Sequence, residues 1–357
     1  MTLIIAEAGV NHNGDEKLAF KLVDAAYSAG ADIVKFQTFK AKKLVTKNAK
    51  QAAYQMANTG KQESQMDMLA RLELSYEAHH RLVAHCSKLG IEFLSTAFDS
   101  ESLEFLVNDL KLTRLKIASG EITNAPLLLQ HARTGCNLIV STGMATLSEI
   151  EVALGVIAFG YSAPVDVMPS IEAFANAYAS DAGQSALKNK VTLLHCTTEY
   201  PAPIHEVNLK AMNTLASAFR LAAGYSDHSA GINIPIAAVA CGAVIIEKHF
   251  TLDKTMEGPD HKASLDPIEL KAMIHAIREV ESALGDGVKR PTNSEVKNKL
   301  VARKSLVAAC DIYKGEMFTQ DNISIKRPGT GKSPYLYWSV LGTAASRDLI
   351  AGEVLDE

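Results

Sequence analysis

Short apolar runs alternate along most of the chain with longer stretches that have the spacing of amphipathic helices. The runs cover residues 3–8, 33–37, 92–96, 114–117, 138–141, 191–195, 222–226 and 243–249. Residues 16–29 and 76–89 show the helical pattern, and the glycine that follows each stretch suits a left-handed helix cap. Eight strands alternating with helices predict an α/β fold, a closed (β/α)8 TIM barrel, with a doubly wound open sheet as the competing architecture.

The predicted strands are apolar inside and become polar where they end. The polar residues at or just after these ends include Glu7, Lys35, Gln37, Thr96, Lys116, Ser119, Glu121, Ser141, Tyr200, Ser226 and Glu247. Buried polar groups need hydrogen-bond partners or a ligand, and a TIM barrel carries its active site at the carboxyl ends of its strands. The pattern therefore predicts a catalytic pocket at the mouth of the barrel.

The character of the sequence changes after the last strand–helix unit. Residues 285–298, GDGVKRPTNSEVKN, are polar and contain Gly and Pro, as linkers do. In residues 299–357 the apolar positions alternate over short stretches, which predicts a small β-rich module with a marginal core. The expected organisation is a catalytic barrel over residues 1–284, a linker over 285–298 and a small domain over 299–357.

Charge and cysteine usage exclude several classes of protein. The formal net charge of −4 gives no reason to expect nucleic acid as a partner. No apolar run reaches the roughly 18 residues of a membrane span, and the first residues lack the basic region of a signal peptide. The five scattered cysteines form no CxxC pair, so neither disulfides nor a cysteine-bound zinc is expected and a cytoplasmic location is predicted.

Two histidines stand at the ends of strands that are neighbours in a closed barrel. His228 follows the seventh strand and His249 ends the eighth. Two imidazoles so placed can bind a divalent metal ion with water or substrate oxygen in the remaining positions, although each could instead be a hydrogen-bonded structural histidine. Glu247 lies two residues before His249, on the same side of the strand, where it could act as an acid or base.

Two lysines lie in apolar surroundings near the ends of the second and fourth strands. Lys35 stands in IVKFQ and Lys116 in LKIASGE, where an unpaired ammonium would be costly to bury. Converging with hydroxyl groups, they would suit a phosphate or carboxylate ligand. Two other readings stay open, a solvated surface charge and the Schiff-base lysine of an aldolase.

The remaining histidines are given smaller roles. His12 follows the first strand in a turn, where stabilising the turn is favoured over a third metal ligand. His79, His80 and His85 are expected on a polar helix face without function.

Eight ordered motifs resemble one known family. The strings AEAGVNHNG, VKFQTFKA, KIASGEITN, STGMAT, LLHCTTEYPAP, GYSDHS, EKHFT and GPDHKAS are similar, in this order, to the bacterial N-acetylneuraminate (sialic acid) synthases, which include legionaminic acid synthases. The resemblance covers essentially the whole chain. KGE, DNI and KRPGTG in the tail resemble the antifreeze-like (SAF) domain that these synthases carry behind their barrel.

The resemblance implies a metal-dependent condensation of phosphoenolpyruvate with an N-acylated amino sugar aldehyde. It assigns phosphoenolpyruvate to Lys35, Lys116, Thr96, Ser119, Ser141 and Ser226, and the sugar to Glu7, Gln37, Glu121, Tyr200 and Asp260. A manganese ion, or magnesium or cobalt in its place, would bind His228 and His249 and polarise the aldehyde. Glu247 would position the attacking water beside it. The reaction proceeds by C–O cleavage and releases phosphate.

The resemblance also implies a domain-swapped homodimer. Arg327, in KRPGTG, matches the arginine that in this family reaches into the barrel of a neighbouring subunit and contacts the sugar. A linker of roughly 15 polar residues would be long enough for such an exchange. Thr198, where some relatives have Asn near the phosphate, and Ala97 and Ala118, where relatives often have Pro or Gly, depart from the family pattern.

The identity of the sugar stays open between N-acetylmannosamine and its 2,4-diacetamido-2,4,6-trideoxy analogue. TTEYPAPIHEVNLKAM and GPDHKASLDP are closer to the legionaminic type, whereas NTGKQESQ is closer to sialic acid synthases. Two alternatives to a synthase are kept, a Schiff-base pyruvate aldolase and a non-catalytic carbohydrate-binding protein.

Overall fold

The computed structural model describes residues 1–47, 49–51, 56 and 63–356. It consists of two compact units, Met1–Gly285 and Asp286–Glu357. Of the segment NTGKQESQ, which bears on the sugar, residues 58–62 lie outside the described residues.

Eight parallel strands of the first unit close into a barrel in chain order. They are β1 (Leu3–Gly9), β2 (Ile33–Thr38), β3 (Glu92–Ala97), β4 (Arg114–Ile117), β5 (Asn137–Ser141), β6 (Val191–Cys196), β7 (Ala222–Asp227) and β8 (Ile245–His249). The predicted TIM barrel is confirmed and the open sheet is wrong, because β1 pairs with both β2 and β8. β8 begins later than expected, since the N–H of Ala243 donates to the carbonyl of Ala238 and closes the preceding helix.

Helices surround the barrel and connect its strands. They are α1 (Glu16–Ala29), α2 (Ala41–Leu44), α3 (Gln65–Leu72), α4 (Tyr76–Leu89), α5 (Ser100–Glu104), α6 (Ala125–Arg133), α7 (Leu147–Ser162), α8 (Ile171–Ala179), α9 (Asp181–Lys190), α10 (Lys210–Phe219), α11 (Asn233–Ala240) and α12 (Pro267–Leu284). α1 and α4 have the predicted bounds, and Gly30 and Gly90 cap them with φ of 89° and 85°. Among the described residues, no helix has both the length and the apolar character that crossing a membrane requires.

The side chains inside the barrel change from apolar to polar along the strands. An aliphatic floor is formed by Ile5, Ile33, Leu94, Ile139, Leu194 and Ile245. Two residues further along the same strands, the inward positions hold Glu7, Lys35, Thr96, Ser141, Cys196 and Glu247. Successive strand residues point to opposite faces, so the floor and the polar layer belong to one inward-facing set. The outward set, with Ile4, Val34 and Ile246 among its members, packs in the main hydrophobic core.

The second unit is small and built around a two-stranded antiparallel sheet. β9 (Ser305–Ala308) pairs with β10 (Ile323–Lys326), and two helices accompany them, α13 (Asn293–Ala302) and α14 (Tyr337–Val340). Its core contains Leu306, Ile312, Phe318, Ile323 and Leu349, among others. α13 begins inside the segment predicted as a linker, because Thr292 and Glu295 form a capping box that starts a helix there.

Replacing Gly224 by Ala tests how tightly the floor of the barrel is packed. A Cβ at this position of β7 would lie 2.5 Å from the carbonyl oxygen of Ile245 and 2.8 Å from Cδ2 of Leu194. We expect Gly224→Ala to lower the free energy of unfolding of the barrel by about 1–3 kcal/mol, because a packed interior must shift to admit a methyl group. Urea denaturation followed by circular dichroism measures the change.

Gly120→Ala is the matched control. Gly120 is exposed, and nothing lies within 4 Å of a Cβ built there. Its free energy of unfolding should stay within about 0.5 kcal/mol of the parent protein. Equal stability of both variants would contradict the packing assigned to Gly224.

Candidate active site

The mouth of the barrel holds a cavity of 180 Å³ that receives side chains from every strand or from the loop after it. Of the predicted site residues, it is lined by Glu7, Lys35, Gln37, Thr96, Lys116, Ser119, Ser141, Tyr200, Ser226, His228, Glu247 and His249. Parallel strands bring their carboxyl ends to the same rim, so residues far apart in the chain meet here. The structure thus brings together most of the residues that the sequence singled out.

Four charged side chains form a buried network in this cavity. The Nζ atom of Lys35 lies 2.9 Å from Oε2 of Glu7 and 3.4 Å from Oε2 of Glu247. The Nζ atom of Lys116 lies 3.3 Å from Oε1 of Glu247. The four side chains are 2–5% exposed, so neither lysine is a solvated surface charge. Each ammonium faces at least one carboxylate, as burial of a charge requires.

The two carboxylates of the network differ in acidity. Burial raises the pKa of Glu7 to about 7, and the negative Glu247 adds to this in spite of the ion pair with Lys35. Burial alone would also raise the pKa of Glu247, but Lys116, Lys35 and a hydrogen bond from the Ser226 hydroxyl lower it to about 2. Glu247 is therefore ionised at neutral pH, while Glu7 can gain or lose a proton there.

The lysines respond to their surroundings in opposite directions. Burial lowers the pKa of Lys116, and its contact with Glu247 only partly compensates. Burial acts on Lys35 in the same sense, but its two neighbouring carboxylates raise the pKa of Lys35 above the usual value. Lys35 also donates a hydrogen bond to the Thr96 hydroxyl, at 3.2 Å. Both cations point into the cavity, where an anionic ligand can meet them.

His228 and His249 fit a divalent metal ion. Nδ1 of His228 donates to the carbonyl of Thr197 at 2.6 Å, and since a carbonyl only accepts, Nε2 carries the lone pair. The Tyr200 hydroxyl lies 3.1 Å from this Nε2. Nδ1 of His249 is buried without a hydrogen-bond partner in the part of the chain that the structure describes. Burial lowers the pKa of His228 to about 4 and that of His249 well below its usual value, so both rings are neutral, as metal ligands must be.

Among the described residues, these two rings are the side chains at the mouth that are suited to hold a metal ion. Their ring centroids are 5.6 Å apart. No group of three His, Cys, Asp or Glu side chains suited to a metal ion occurs within the described ranges. A bound ion would therefore complete its coordination with water or substrate oxygen. His12 does not line the cavity, and its Nδ1 accepts a hydrogen bond from the N–H of Gly14, which stabilises the turn as predicted.

Hydroxyl groups and a glycine shape the side of the cavity next to Lys116. The Ser119 hydroxyl accepts a hydrogen bond from the N–H of Gly143 at 3.0 Å. A Cβ at Gly143 would lie 2.4 Å from Oγ1 of Thr198 and 2.8 Å from Oγ of Ser119, so a larger residue would displace both hydroxyls. Thr198 lines the cavity although the sequence analysis did not assign it to the site. The available signal for Thr198 was the LLHCTTEYPAP motif, which contains it.

Three predicted site residues do not line the cavity. Glu121 lies in a 3-10 turn and accepts a hydrogen bond from the side chain of Asn124 at 2.7 Å. Asp260 is buried beside the cavity, with its Oδ2 atom 4.0 Å from Nδ1 of His249, and burial raises the pKa of Asp260 to about 6. Arg327 is exposed and belongs to the second unit. The contacts expected between these residues and a sugar stay predictions.

His79 was expected on a polar helix face, and this expectation is wrong. The side chain is fully buried, with Nδ1 donating to the carbonyl of Ser75 and Nε2 accepting from the Thr38 hydroxyl, each at 2.9 Å. Thr38 is in turn 2.7 Å from the Ser95 hydroxyl. The signal lay in the helical period, since His79 precedes the buried Leu82 by three residues. The histidine ties α4 to β2 and β3, which carry Lys35 and Thr96.

A larger groove of 680 Å³ lies next to the mouth, between residues 142–150 and 195–215. The two cavities share Thr198. Charged residues of the groove such as Glu206 and Lys210 are exposed to solvent, which weakens their electrostatic effect. The four buried charged side chains and the two histidines line the smaller cavity. We therefore take the smaller cavity as the candidate active site.

Comparison with known families and proteins shows what the chain is similar to. The NeuB family matches residues 22–289, and the SAF domain matches residues 303–357. The chain is 51% identical to the N,N'-diacetyllegionaminic acid synthase of Campylobacter jejuni, over 100% of this chain and 99% of the relative. It is 45% identical to the N,N'-diacetyllegionaminic acid synthase of Legionella pneumophila, over 99% of this chain and 92% of the relative.

A solved structure supports the same relationship. The N-acetylneuraminic acid synthetase of Leptospira borgpetersenii, crystallised with citrate, is 33% identical, with a TM-score of 0.65. The match covers 83% of this chain and 90% of the other. These findings confirm the resemblance seen in the motifs and contradict the aldolase and carbohydrate-binding alternatives. The chain therefore belongs to the NeuB family, is a synthase as its named relatives are, and carries an SAF domain at residues 303–357.

Proposed function

We propose that this synthase condenses phosphoenolpyruvate with the open-chain 2,4-diacetamido-2,4,6-trideoxy analogue of N-acetylmannosamine. The products are N,N'-diacetyllegionaminate and phosphate. The choice of sugar rests on the two relatives that share 51% and 45% of their residues with this chain over nearly its full length, both named for this product. N-acetylmannosamine, which would give N-acetylneuraminate, is the competing substrate.

The observation that carries the proposal is the buried network of two ammonium and two carboxylate groups at the barrel mouth. Phosphoenolpyruvate has a phosphate and a carboxylate, which Lys35 and Lys116 can neutralise with charge-assisted hydrogen bonds. Hydroxyl groups on the same wall add further donors, from Thr96, Ser119 and Ser141, while the Ser226 hydroxyl donates to Glu247 and can accept a hydrogen bond. The Ser141 hydroxyl is buried without a hydrogen-bond partner among the described residues, so it is free to donate to a ligand.

Glu7 and Glu247 act at different steps of the reaction. The methylene carbon of phosphoenolpyruvate attacks the aldehyde carbon, and the aldehyde oxygen must take up a proton as it becomes a hydroxyl. Glu7, whose pKa burial raises to about 7, can hold that proton at neutral pH. Water, oriented by the ionised Glu247, then adds to the cationic carbon of the former enol. One of its two protons replaces the proton that Glu7 delivered, and the other leaves with the phosphate. Cleavage of the C–O bond releases phosphate from the tetrahedral intermediate.

The remaining side chains of the mouth hold the sugar and the metal ion. Gln37 and Tyr200 line the cavity and can bind hydroxyl or acyl amide groups. His228 and His249 would hold a divalent cation, most simply Mn²⁺, with Mg²⁺ or Co²⁺ as alternatives. Such an ion supplies Lewis-acid polarisation of the aldehyde.

We assign the reaction to the cytoplasm in this proposal. The five cysteines of the chain are free, and two of them, Cys241 and Cys310, are exposed. Exposed thiols persist in a reducing compartment.

The proposal includes a domain-swapped homodimer in which Arg327 of one chain completes the site of the other. All residues of α13 are exposed, among them Val296 and Leu300, and in the same unit Trp338 is 77% exposed. Exposed apolar groups of this size are typical of a surface that a partner covers. The planar guanidinium of Arg327 could bind a polar sugar through paired hydrogen bonds.

Comparing the two sugars tests the substrate assignment. Purified protein is incubated with phosphoenolpyruvate, Mn²⁺ and either sugar, and phosphate release and product mass are measured. We expect kcat/KM for the diacetamido sugar to exceed that for N-acetylmannosamine by roughly tenfold or more, because polar groups that meet the wrong substituent stay unpaired. A preference for N-acetylmannosamine would overturn the choice of sugar.

Lys116→Met tests the binding of phosphoenolpyruvate. The variant loses a buried ammonium, and its affinity for phosphoenolpyruvate should fall by about 1.5–3 kcal/mol, as measured by calorimetry. Lys190→Met is the control, because Lys190 donates to the carbonyl of Gly135 near the opposite end of the barrel. The assignment fails if Lys116→Met binds phosphoenolpyruvate as tightly as Lys190→Met does.

Mixing two inactive variants tests the exchange of domains. Arg327→Ala and His249→Ala should each be inactive, but a mixed dimer would contain one site with an intact barrel and an intact arginine. After subunit exchange we expect about a quarter of the parent activity, since half of the dimers are mixed and each has one complete site.

The control mixture combines His228→Ala with His249→Ala. Neither chain then has an intact barrel, so this mixture should stay inactive. If the first mixture also stays inactive although mixed dimers are detected by mass spectrometry, Arg327 does not act across the dimer.

A further inference from the structure

A second ion pair lies on the outer side of the strands that carry the two histidines. Lys248 stands between Glu247 and His249 in β8, so its side chain points out of the barrel, towards the helices. Asp227 faces it from the neighbouring strand β7 in the register of the sheet. Both side chains are 0% exposed. No role in substrate binding explains a charge pair in this place, because it faces away from the cavity.

The contacts of Lys248 converge on the turn around His228. Its Nζ atom is 2.5 Å from Oδ2 of Asp227 and also donates to the backbone carbonyl of Ser229. Oδ1 of Asp227 accepts from the backbone N–H of Ser229 at 2.9 Å. Asp227 and Ser229 are the residues immediately before and after His228, so Lys248 binds both flanks of one metal-binding histidine.

The same lysine is adjacent to the other histidine in the chain. Its neighbour His249 points into the barrel on the next position of β8. The ring of His228 is held by the Thr197 carbonyl, and its backbone carbonyl accepts from the N–H of Ala202 at 2.9 Å. Lys248 is thus the group that joins the backbone around His228 to the strand that ends in His249.

Stability alone does not account for this pair. Replacing a buried ion pair by apolar residues of similar volume is often neutral or stabilising, because desolvation opposes the Coulomb attraction. A pair that contributes little to stability can still fix geometry. Replacing a group that orients a metal ligand commonly weakens metal binding by about 10–100-fold.

We propose that Lys248 is a positioning residue for the metal site, which sets the separation of the His228 and His249 rings by clamping residues 227–229 against β8. The inference rests on the proposed function, in which these two histidines hold a divalent ion. Lys248 touches neither substrate nor metal, so its loss should act on metal affinity and leave the lysines that bind phosphoenolpyruvate unaffected.

The test measures Mn²⁺ binding without turnover. The full-length parent protein, Lys248→Met and Asp227→Asn are titrated with Mn²⁺ alone, and free Mn²⁺ is followed by its electron paramagnetic resonance signal. We expect Lys248→Met to bind Mn²⁺ about 10–100-fold more weakly than the parent. Asp227→Asn keeps an acceptor for the Ser229 N–H, so this variant should lose less Mn²⁺ affinity than Lys248→Met does. Phosphoenolpyruvate affinity, measured by calorimetry, should change by less than about twofold in both.

Lys254→Met is the matched control. Lys254 pairs with Glu269 at 2.5 Å in the same region, is 36% exposed, and its replacement changes the net charge equally. Its Mn²⁺ affinity should equal that of the parent. Thermal unfolding of each variant separates a loss of folded protein from a loss of metal affinity.

The outcomes separate this inference from the proposed function. If the parent binds no Mn²⁺, or if His249→Ala binds it as tightly as the parent, the metal site itself is wrong and the inference falls with it. If the parent binds Mn²⁺ and Lys248→Met binds it equally well, Lys248 has only a structural role and the inference alone is overturned. Should Lys248→Met not fold, Asp227→Asn decides, and parent-like affinity in that variant overturns the inference.

Discussion

The buried charges Glu7, Lys35, Lys116 and Glu247 constrain the whole barrel, because none of them can be buried alone. Each carboxylate lies within 3.4 Å of an ammonium, although the four groups come from four different strands. A shift of one residue in any of these strands would turn its charged group into the hydrophobic layer under the helices. The register of the sheet therefore determines whether these charges meet, and their pairing in turn favours this register over a shifted one.

The aliphatic floor beneath this network strengthens the attraction between its charges and an anionic ligand. Ile5, Ile33, Leu94 and their neighbours close the barrel two residues before the charged layer. Water cannot reach the charges from below, so their attraction for a phosphate or carboxylate is less screened than it would be at a surface. Burial raises the pKa of Glu7 to about 7, whereas the pKa of Glu247 falls to about 2, because both ammonium groups lie within 3.4 Å of Glu247 and Glu7 has a direct ion pair with Lys35.

Charge also serves on the outer face of the same strand. In β8 the consecutive residues Glu247, Lys248 and His249 point in, out and in. Glu247 and His249 line the cavity at the barrel mouth. Lys248 instead contacts Asp227 and the backbone carbonyl of Ser229, the two residues that flank His228. A strand can carry both functions because its alternation separates them by the thickness of the sheet. In the described residues of the second unit the core is small, and large apolar side chains such as Trp338 lie on the surface.

Local patterns in the sequence determined the number of strands in the barrel, the bounds of α1 and α4, and most residues of the mouth. These features follow from the periods of two and 3.6 residues and from the polar ends of strands, which are visible without knowing any contact. Tertiary structure alone decided that Glu247 pairs with both lysines and that His79 is buried. Burial, pairing and the resulting pKa values depend on groups that are distant in the chain, and no local period encodes which distant groups will meet.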